Sequence, residues 1–174
     1  MLYLNNFLIM ETLIRPYRDS DIPEILAIIN HNILYSTSLY DYTPRTIERQ
    51  TELLAEKKAK NFPVFVAEQD GHVAGFGMYG EFRFREAYLF TVEHSVYVSE
   101  AFKGKGIGGQ LLQRLIDEAK NQKLHTMIGV IDAENQESIL FHEKFGFKTV
   151  GIIKESGYKF NRWLDSVLMQ LFLD

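Results

Sequence analysis

The sequence predicts an α+β, or mixed α/β, domain, and three observations predict it. Two stretches carry apolar residues at helical spacing: Ile22, Ile25, Leu26 and Ile29, then Leu111, Leu112, Leu115, Ile116 and Ala119. Short runs rich in β-branched and aromatic residues lie between and beyond them, the clearest being Thr91–Val98. Gln69-Asp70-Gly71-His72 joins two of these runs as a hairpin turn, so part of the sheet is antiparallel. The 174 residues suffice for a real core and suit a single domain, with no internal repeat and no linker.

The elements follow in the order β, α, α, β, β, β, α, β, α, β, β. Leu13-Ile14-Arg15-Pro16 ends the first strand, and Asp19-Ser20-Asp21 offers N-cap oxygens to the first helix. Thr43-Pro44 reads as the start of a second helix, an N-cap followed by proline at the first helical position, running toward Lys60. Residues 62–68 and 73–80 are the hairpin strands, and 81–87 form a basic loop before Thr91–Val98. Residues 110–123 are helical, with one apolar face packed in the core and the other solvated. The run 126–131 is a buried strand, and 135–144 is a short helix stopped by Phe145-Gly146. Residues 150–154 and 166–173 close the chain as strands.

Composition excludes several chemistries. Lys plus Arg number 19 against 23 Asp plus Glu, a net charge of -4, which argues against a broad nucleic-acid surface. There is no cysteine, hence no disulfide, no thiolate metal site and no cysteine nucleophile. His31 and His94 lack ligand spacing with Asp or Glu, so no metal is expected. No apolar run approaches the ~20 residues that span a bilayer. The apolar first residues lack a basic n-region and a small-residue cleavage site, which argues against a signal peptide and for a cytoplasmic protein. Residues 1–11 read as a disordered extension, with translation starting at Met1 or Met10, and 12–174 as the domain.

Four of the 12 glycines fall in Gly104-Lys105-Gly106-Ile107-Gly108-Gly109, directly after a strand and at a helix start. Glycine lets successive N–H groups converge, and a helix N-terminus adds partial positive charge, so the pattern suits a phosphate or pyrophosphate. A Walker loop is excluded because no Gly-Lys-Ser/Thr follows at the required spacing, and G-x-G-x-G-G is not the Rossmann spacing. Strand, Lys103-Gly104-Lys105-Gly106-Ile107-Gly108 and helix resemble the acetyl-CoA signature of the GCN5-related N-acetyltransferases (GNAT), Gln/Arg-x-x-Gly-x-Gly/Ala, with Lys103 departing at its first position. The family's Asn-x-x-Ser/Ala element is matched by Asn135 and Ser138, and its Gly-Phe by Gly146-Phe147. Thr91–Val98, Phe141-His142-Glu143-Lys144, Gly157-Tyr158-Lys159 and Arg162-Trp163-Leu164-Asp165 further resemble the phosphinothricin and methionine sulfoximine N-acetyltransferases.

The resemblance implies an acyl-CoA acyltransferase fold, a central, mostly antiparallel sheet flanked by helices, and acetyl-CoA as cosubstrate. It implies cofactor contacts from Ser95, Val96, Tyr97, Lys103, Gly104, Lys105, Gly106, Ile107, Gly108, Asn135 and Ser138. It also implies a homodimer, and substrate contacts from Phe82, Arg83, Phe84, Arg85, Val92, Glu93 and His94, with Tyr158 lining the pocket.

Alternation in Thr91–Val98 sets Glu93 beside Ser95 and Tyr97 on one face. A carboxylate in so apolar a strand is costly without a partner or a task. Glu93 is thus an edge-strand residue facing solvent, or one paired with Arg83 or Arg85, or the general base that the resemblance implies, acting directly or through water. His142 is a packed histidine or the acid that protonates the departing thiolate, where many family members carry tyrosine. The arginines of 82–85 form a solvated loop or clamp a carboxylate or phosphinate bidentately. Tyr35 and Trp163 are core or interface aromatics. The expected activity is direct acetyl transfer to the α-amino group of a small amino acid analogue, of the phosphinothricin, methionine sulfoximine or methionine sulfone type. The alternatives are a protein N-terminus or another small amine as acceptor, or a non-catalytic acyl-CoA sensor.

Overall fold

The computed structural model describes residues 11–173, so most of the expected N-terminal extension, with Met10, lies outside the described residues. The first strand β1 (Leu13–Pro16) leads through a 3-10 turn at Asp19–Asp21 into α1 (Ile22–Tyr35). Asp21 holds that entry: its carboxylate accepts from both Arg15 guanidinium nitrogens at 2.7 and 2.9 Å and from the Arg18 amide at 2.7 Å. The helix α2 (Ile47–Ala59) begins three residues later than Thr43-Pro44 predicts. Asn30 causes the delay, because its side chain binds both the N–H and the C=O of Arg45 and keeps the chain extended there. Thr46 then caps the helix, its hydroxyl accepting from the Arg49 amide at 3.2 Å.

The strands β2 (Val64–Gln69), β3 (His72–Glu81), β4 (Thr91–Val98), β5 (Thr126–Asp132), β6 (Lys148–Lys159) and β7 (Arg162–Phe172) complete a seven-stranded sheet in the order β1-β2-β3-β4-β5-β7-β6. Every neighbouring pair is antiparallel except β4 and β5. The expectation of a mostly antiparallel sheet flanked by helices is met. On one face the Ile side chains of α1 and Leu54 of α2 pack on Val64, Val66, Val73, Phe76 and Tyr97. On the other, α3 (Ile107–Asn121) buries Ile107, Leu111, Leu112, Leu115, Ile116 and Ala119 against Val92, Met127, Val167 and Met169. At roughly 1.5–3 kcal/mol per buried aliphatic side chain, this stripe is a main source of cohesion. The short α4 (Gln136–Lys144) follows β5.

β6 runs 12 residues, far beyond the predicted 150–154, and β7 starts four residues before 166. They meet at a two-residue turn, Phe160-Asn161, where both residues have positive φ (52° and 61°), the geometry of a primed hairpin turn. β6 is exposed on nearly all positions and lies at the sheet edge, so it carries no inside–outside alternation for sequence analysis to detect. Among the described residues no helix is long and apolar enough to cross a membrane.

Candidate active site

β4 and β5 stay together for only three registered pairs, Thr91 with Thr126, Val92 with Met127 and Glu93 with Ile128. Past that point the parallel strands part, and among the described residues no strand lies beside the β5-facing edge of residues 94–98. Two cavities fill the resulting wedge. One, of about 290 Å³, is bounded by Thr37–Tyr40, Glu93–Tyr97 and Gly129–Asp132. The other, of about 360 Å³, extends from Val96–Val98 to the start of α3 and to α4. They share Ser38, Val96, Tyr97, Asn135, Ser138 and His142, so together they form one continuous passage.

The larger cavity ends at the glycine loop. Gly104 and Gly106 take φ of +76° and +75°, left-handed values that L side chains rarely adopt, and this turns the chain so that α3 opens toward the wedge. Gly106 is the N-cap and provides no side chain to satisfy the first-turn amides. Those donors and the positive end of the helix dipole are left for an anion, so the loop fits a pyrophosphate. Lys105 lies over the Phe102 ring at 4.8 Å, and Lys103 is held by Glu100 at 2.5 Å. Asn135 caps α4 by accepting from the Ser138 amide at 3.0 Å. Along Ser95, Val96 and Tyr97 the β5-facing edge of β4 is left without ladder partners, free to pair with an extended, amide-bearing ligand as strand addition does for peptides.

The smaller cavity holds the titratable groups. Glu93 is half-buried, and burial raises its carboxyl pKa above the ordinary range against the opposing charges of Lys57 and Arg83. Among the described residues it has no ion pair, so the arginine-paired reading of Glu93 fails and its carboxylate is open to a ligand. His142 Nδ1 stands 2.6 Å from the Ser138 carbonyl, which places the proton on Nδ1 and leaves Nε2 with a lone pair in the neutral ring. Burial lowers its pKa, so the resting imidazole accepts a proton at Nε2 rather than holding one ready for a thiolate. His94 packs against His142 and Phe147 with ring centroids 5.1 and 5.3 Å away. Enclosure pushes its pKa down to about 3, and among the described residues neither ring nitrogen has a hydrogen-bond partner. A Cβ on Gly129 would lie 3.3 Å from His94 Nε2 and 3.5 Å from His142 Nε2, so the glycine keeps open a niche that both imidazoles face.

A family model for the acetyltransferase (GNAT) domain matches residues 14–168. The chain belongs to the GNAT acetyltransferases. It is 40% identical over 166 residues to the L-methionine sulfoximine/L-methionine sulfone acetyltransferase of Pseudomonas aeruginosa, covering 95% of this chain and 96% of the relative. A crystal structure of a ribosomal-protein-alanine N-acetyltransferase from Brucella melitensis superposes with a TM-score of 0.91 at 39% identity, covering 92% of this chain and 99% of that one. A phosphinothricin acetyltransferase from Sinorhizobium meliloti, solved with acetyl-CoA, gives a TM-score of 0.91 at 32% identity over 94% of this chain and 89% of that one. Acetyl-CoA is accordingly the acyl donor of this N-acetyltransferase, and the glycine loop and wedge fit it.

The remaining residues expected at the acetyltransferase site divide. Val92 is 1% exposed in the α3 core with Leu111 and Met127, so it cannot touch an acceptor; alternation along β4 turns it away from Glu93. Tyr158 lines neither cavity: its ring meets Trp163 edge-on with centroids 5.0 Å apart at the hairpin end, its hydroxyl donates to Asn161 Oδ1 at 3.4 Å, and its carbonyl accepts from the Tyr42 hydroxyl. The Tyr97 ring is buried on Phe76, so only its backbone borders the wedge. Arg83 and Arg85 lie over Phe82 and Phe84 at 5.2 and 5.3 Å, and Phe84 is 86% exposed. None of the four lines either cavity of the wedge, although Arg83 is near enough to affect Glu93. Sequence analysis missed Thr37, Ser38, Leu39 and Tyr40, which wall the acceptor side from an irregular loop that matches no motif. It also missed Lys57, whose Nζ donates to the Tyr79 carbonyl at 3.1 Å beside a third cavity that Glu93 shares. Among the described residues no cluster of three or more His, Asp or Glu is arranged for a metal.

Proposed function

We propose that this enzyme acetylates the α-amino group of a small free amino acid of the methionine sulfone, methionine sulfoximine or phosphinothricin type. The observation that carries the proposal is the single passage at the β4–β5 wedge, with an anion cradle at one end and the unpaired Glu93 carboxylate at the other. The Pseudomonas relative's name supplies the acceptor class.

Acetyl-CoA supplies an acetyl group already activated as a thioester. The chain's residues handle the amine and its proton. The first-turn amides of α3, with Gly104, Lys105 and Gly106, hold the phosphates, while Ser95–Tyr97, Asn135 and Ser138 align the arm. Glu93, directly or through one water, takes the ammonium proton so that the nitrogen lone pair is free. His142 Nε2, beside the shared lining, takes the second proton that the nitrogen sheds after attacking the thioester carbonyl and gives it to the sulfur as the C–S bond breaks. No cysteine is present to carry an acetyl group, which favours direct transfer with both substrates bound.

Residues 12–174 work as one domain in the cytoplasm, and the enzyme works as a homodimer. The edge strand β6 supports the dimer: it exposes Val150, Ile152 and Ile153, with Phe160 of the turn and Trp163 of β7 beside them, an apolar edge that proteins normally cover. A monomer mass in solution would remove that part of the proposal.

The second reading is acetylation of a protein N-terminus, favoured by the name of the Brucella relative. Thiol release from acetyl-CoA with methionine sulfone, methionine sulfoximine, phosphinothricin and an alanine-starting peptide separates the two. Preference for the peptide overturns the amino-acid reading. Silence with every amine replaces catalysis with an acyl-CoA-binding role.

A further inference from the structure

We propose that Lys159 latches the loop that walls the acceptor cavity, and that this latch sets a preference for free amino acids over peptides. The specificity half of the proposal rests on the acceptor class assigned above. Residues 36–42, between α1 and α2, contain no helix or strand, yet Thr37, Ser38, Leu39 and Tyr40 line the acceptor cavity opposite Gly129–Asp132. A stretch without its own backbone ladder holds a shape only if something outside it does so.

Lys159 supplies that hold. It ends β6 and is 4% exposed, and its Nζ donates to the Ser36 carbonyl at 2.7 Å and to the Leu39 carbonyl at 2.5 Å. The two acceptors bracket the cavity-lining residues Thr37 and Ser38, so one ammonium fixes both ends of that wall. Ser36 is also the C-cap of α1, where the negative end of the helix dipole favours a cation. Lys159 has no carboxylate within ion-pair distance among the described residues. A buried ammonium held by two carbonyls and the face of the Phe160 ring at 5.1 Å, with no carboxylate paired to it, is an expensive way to stabilise a fold, which points to a task in shaping the site.

Three further contacts seat the same loop on the β6–β7 hairpin. The Tyr40 ring packs so closely on Gly157 that a Cβ there would lie 2.4 Å from Cε2. Its hydroxyl meets Ser166 Oγ at 3.2 Å, and Tyr42 donates to the Tyr158 carbonyl. With the loop seated, an acceptor must fit within a space of about 290 Å³ beside Glu93. That volume suits one small amino acid, and the seated wall at 37–40 is what a peptide main chain continuing past its first residue would meet. Lys159 is therefore a positioning residue that acts through the loop.

The test compares Lys159→Met, which keeps the chain length and removes the donors, with Lys159→Arg. In Lys159→Met, KM for L-methionine sulfone should rise about tenfold while KM for acetyl-CoA stays within twofold. The ratio of kcat/KM for the sulfone over that for the dipeptide L-methionyl-L-alanine should fall about tenfold, and Lys159→Arg should restore part of both. If Lys159→Met fails to fold, Tyr42→Phe should move the ratio the same way by two- to threefold. Hydrogen exchange at the amides of residues 37–40, read without substrate, should accelerate at least tenfold in Lys159→Met. Unchanged exchange overturns the latch, and faster exchange with an unchanged ratio overturns its role in specificity. A wild-type enzyme inactive on every free amino acid overturns the acceptor assignment and the specificity half, while the exchange result still decides the latch.

Discussion

Replacing Glu93 by Gln removes the carboxylate that faces the acceptor and keeps its size. A peptide α-amino group has a pKa near 8 and a free amino acid's, beside its own carboxylate, lies higher, so at most about one-tenth of the acceptor is deprotonated at pH 7 and only that minority needs no base. General bases contribute roughly 10²–10⁴ in rate, and the free fraction of amine puts this enzyme near the lower end. The expected loss in kcat at pH 7 is about 100-fold, or ~2.7 kcal/mol of transition-state stabilisation. Burial raises the Glu93 pKa, so wild-type activity should fall with acidification at a pH above the ordinary carboxylate range, as the base becomes protonated. The variant should lack that limb and follow the amine instead, gaining about tenfold between pH 7 and 9 as solution deprotonation does the work of the base. The assay is thiol release from acetyl-CoA with L-methionine sulfone from pH 5 to 10, with acetyl-CoA affinity measured in parallel and expected to be unchanged. A variant within threefold of wild type at pH 7, or with the wild-type pH profile, would refute Glu93 as the base.

Two further perturbations probe the cofactor loop and the fold. At Gly106 nothing lies within 4 Å of an added Cβ, so Gly106→Ala introduces backbone strain at φ +75° and no clash. At ~1–2 kcal/mol for a left-handed alanine, calorimetry should show acetyl-CoA binding weakened roughly 5- to 30-fold, with KM for the amino acid little changed. Asp21→Asn breaks a buried pair with Arg15 and should cost about 3 kcal/mol in chemical denaturation. The Arg15 guanidinium holds the Asp21 pKa below its unfolded value. Its contribution is therefore complete above the unfolded carboxylate pKa and is lost as pH falls through the lower folded one. The wild-type advantage over Asp21→Asn should accordingly shrink below about pH 4.

What was legible in the sequence were the features that local rules encode. The apolar stripe of α3 and the glycines at 104 and 106 each impose one geometry on their own segment, and both lie where they were read. Glu93 was identifiable because a carboxylate in an apolar strand conflicts with burial, and His142 through the motif around it. What escaped was set by contacts between distant segments. The α2 start moved because Asn30, 15 residues away, ties down Arg45. The length of β6 was hidden because an edge strand exposed on both faces has no period. Val92 was placed at the site by its neighbour Glu93, although successive residues of a strand face opposite ways. The loop at 37–40 meets the cavity through contacts more than a hundred residues away, Lys159 on its carbonyls and Tyr40 and Tyr42 on the β6–β7 hairpin.

The central claim is that both substrates meet in one passage and that the acetyl group crosses directly between them. Initial rates of thiol release, with acetyl-CoA and L-methionine sulfone varied together, test it most directly. Reciprocal plots should intersect, as a complex holding both substrates requires. Parallel lines would mean that the enzyme itself carries the acetyl group between two half-reactions, and they would contradict the account.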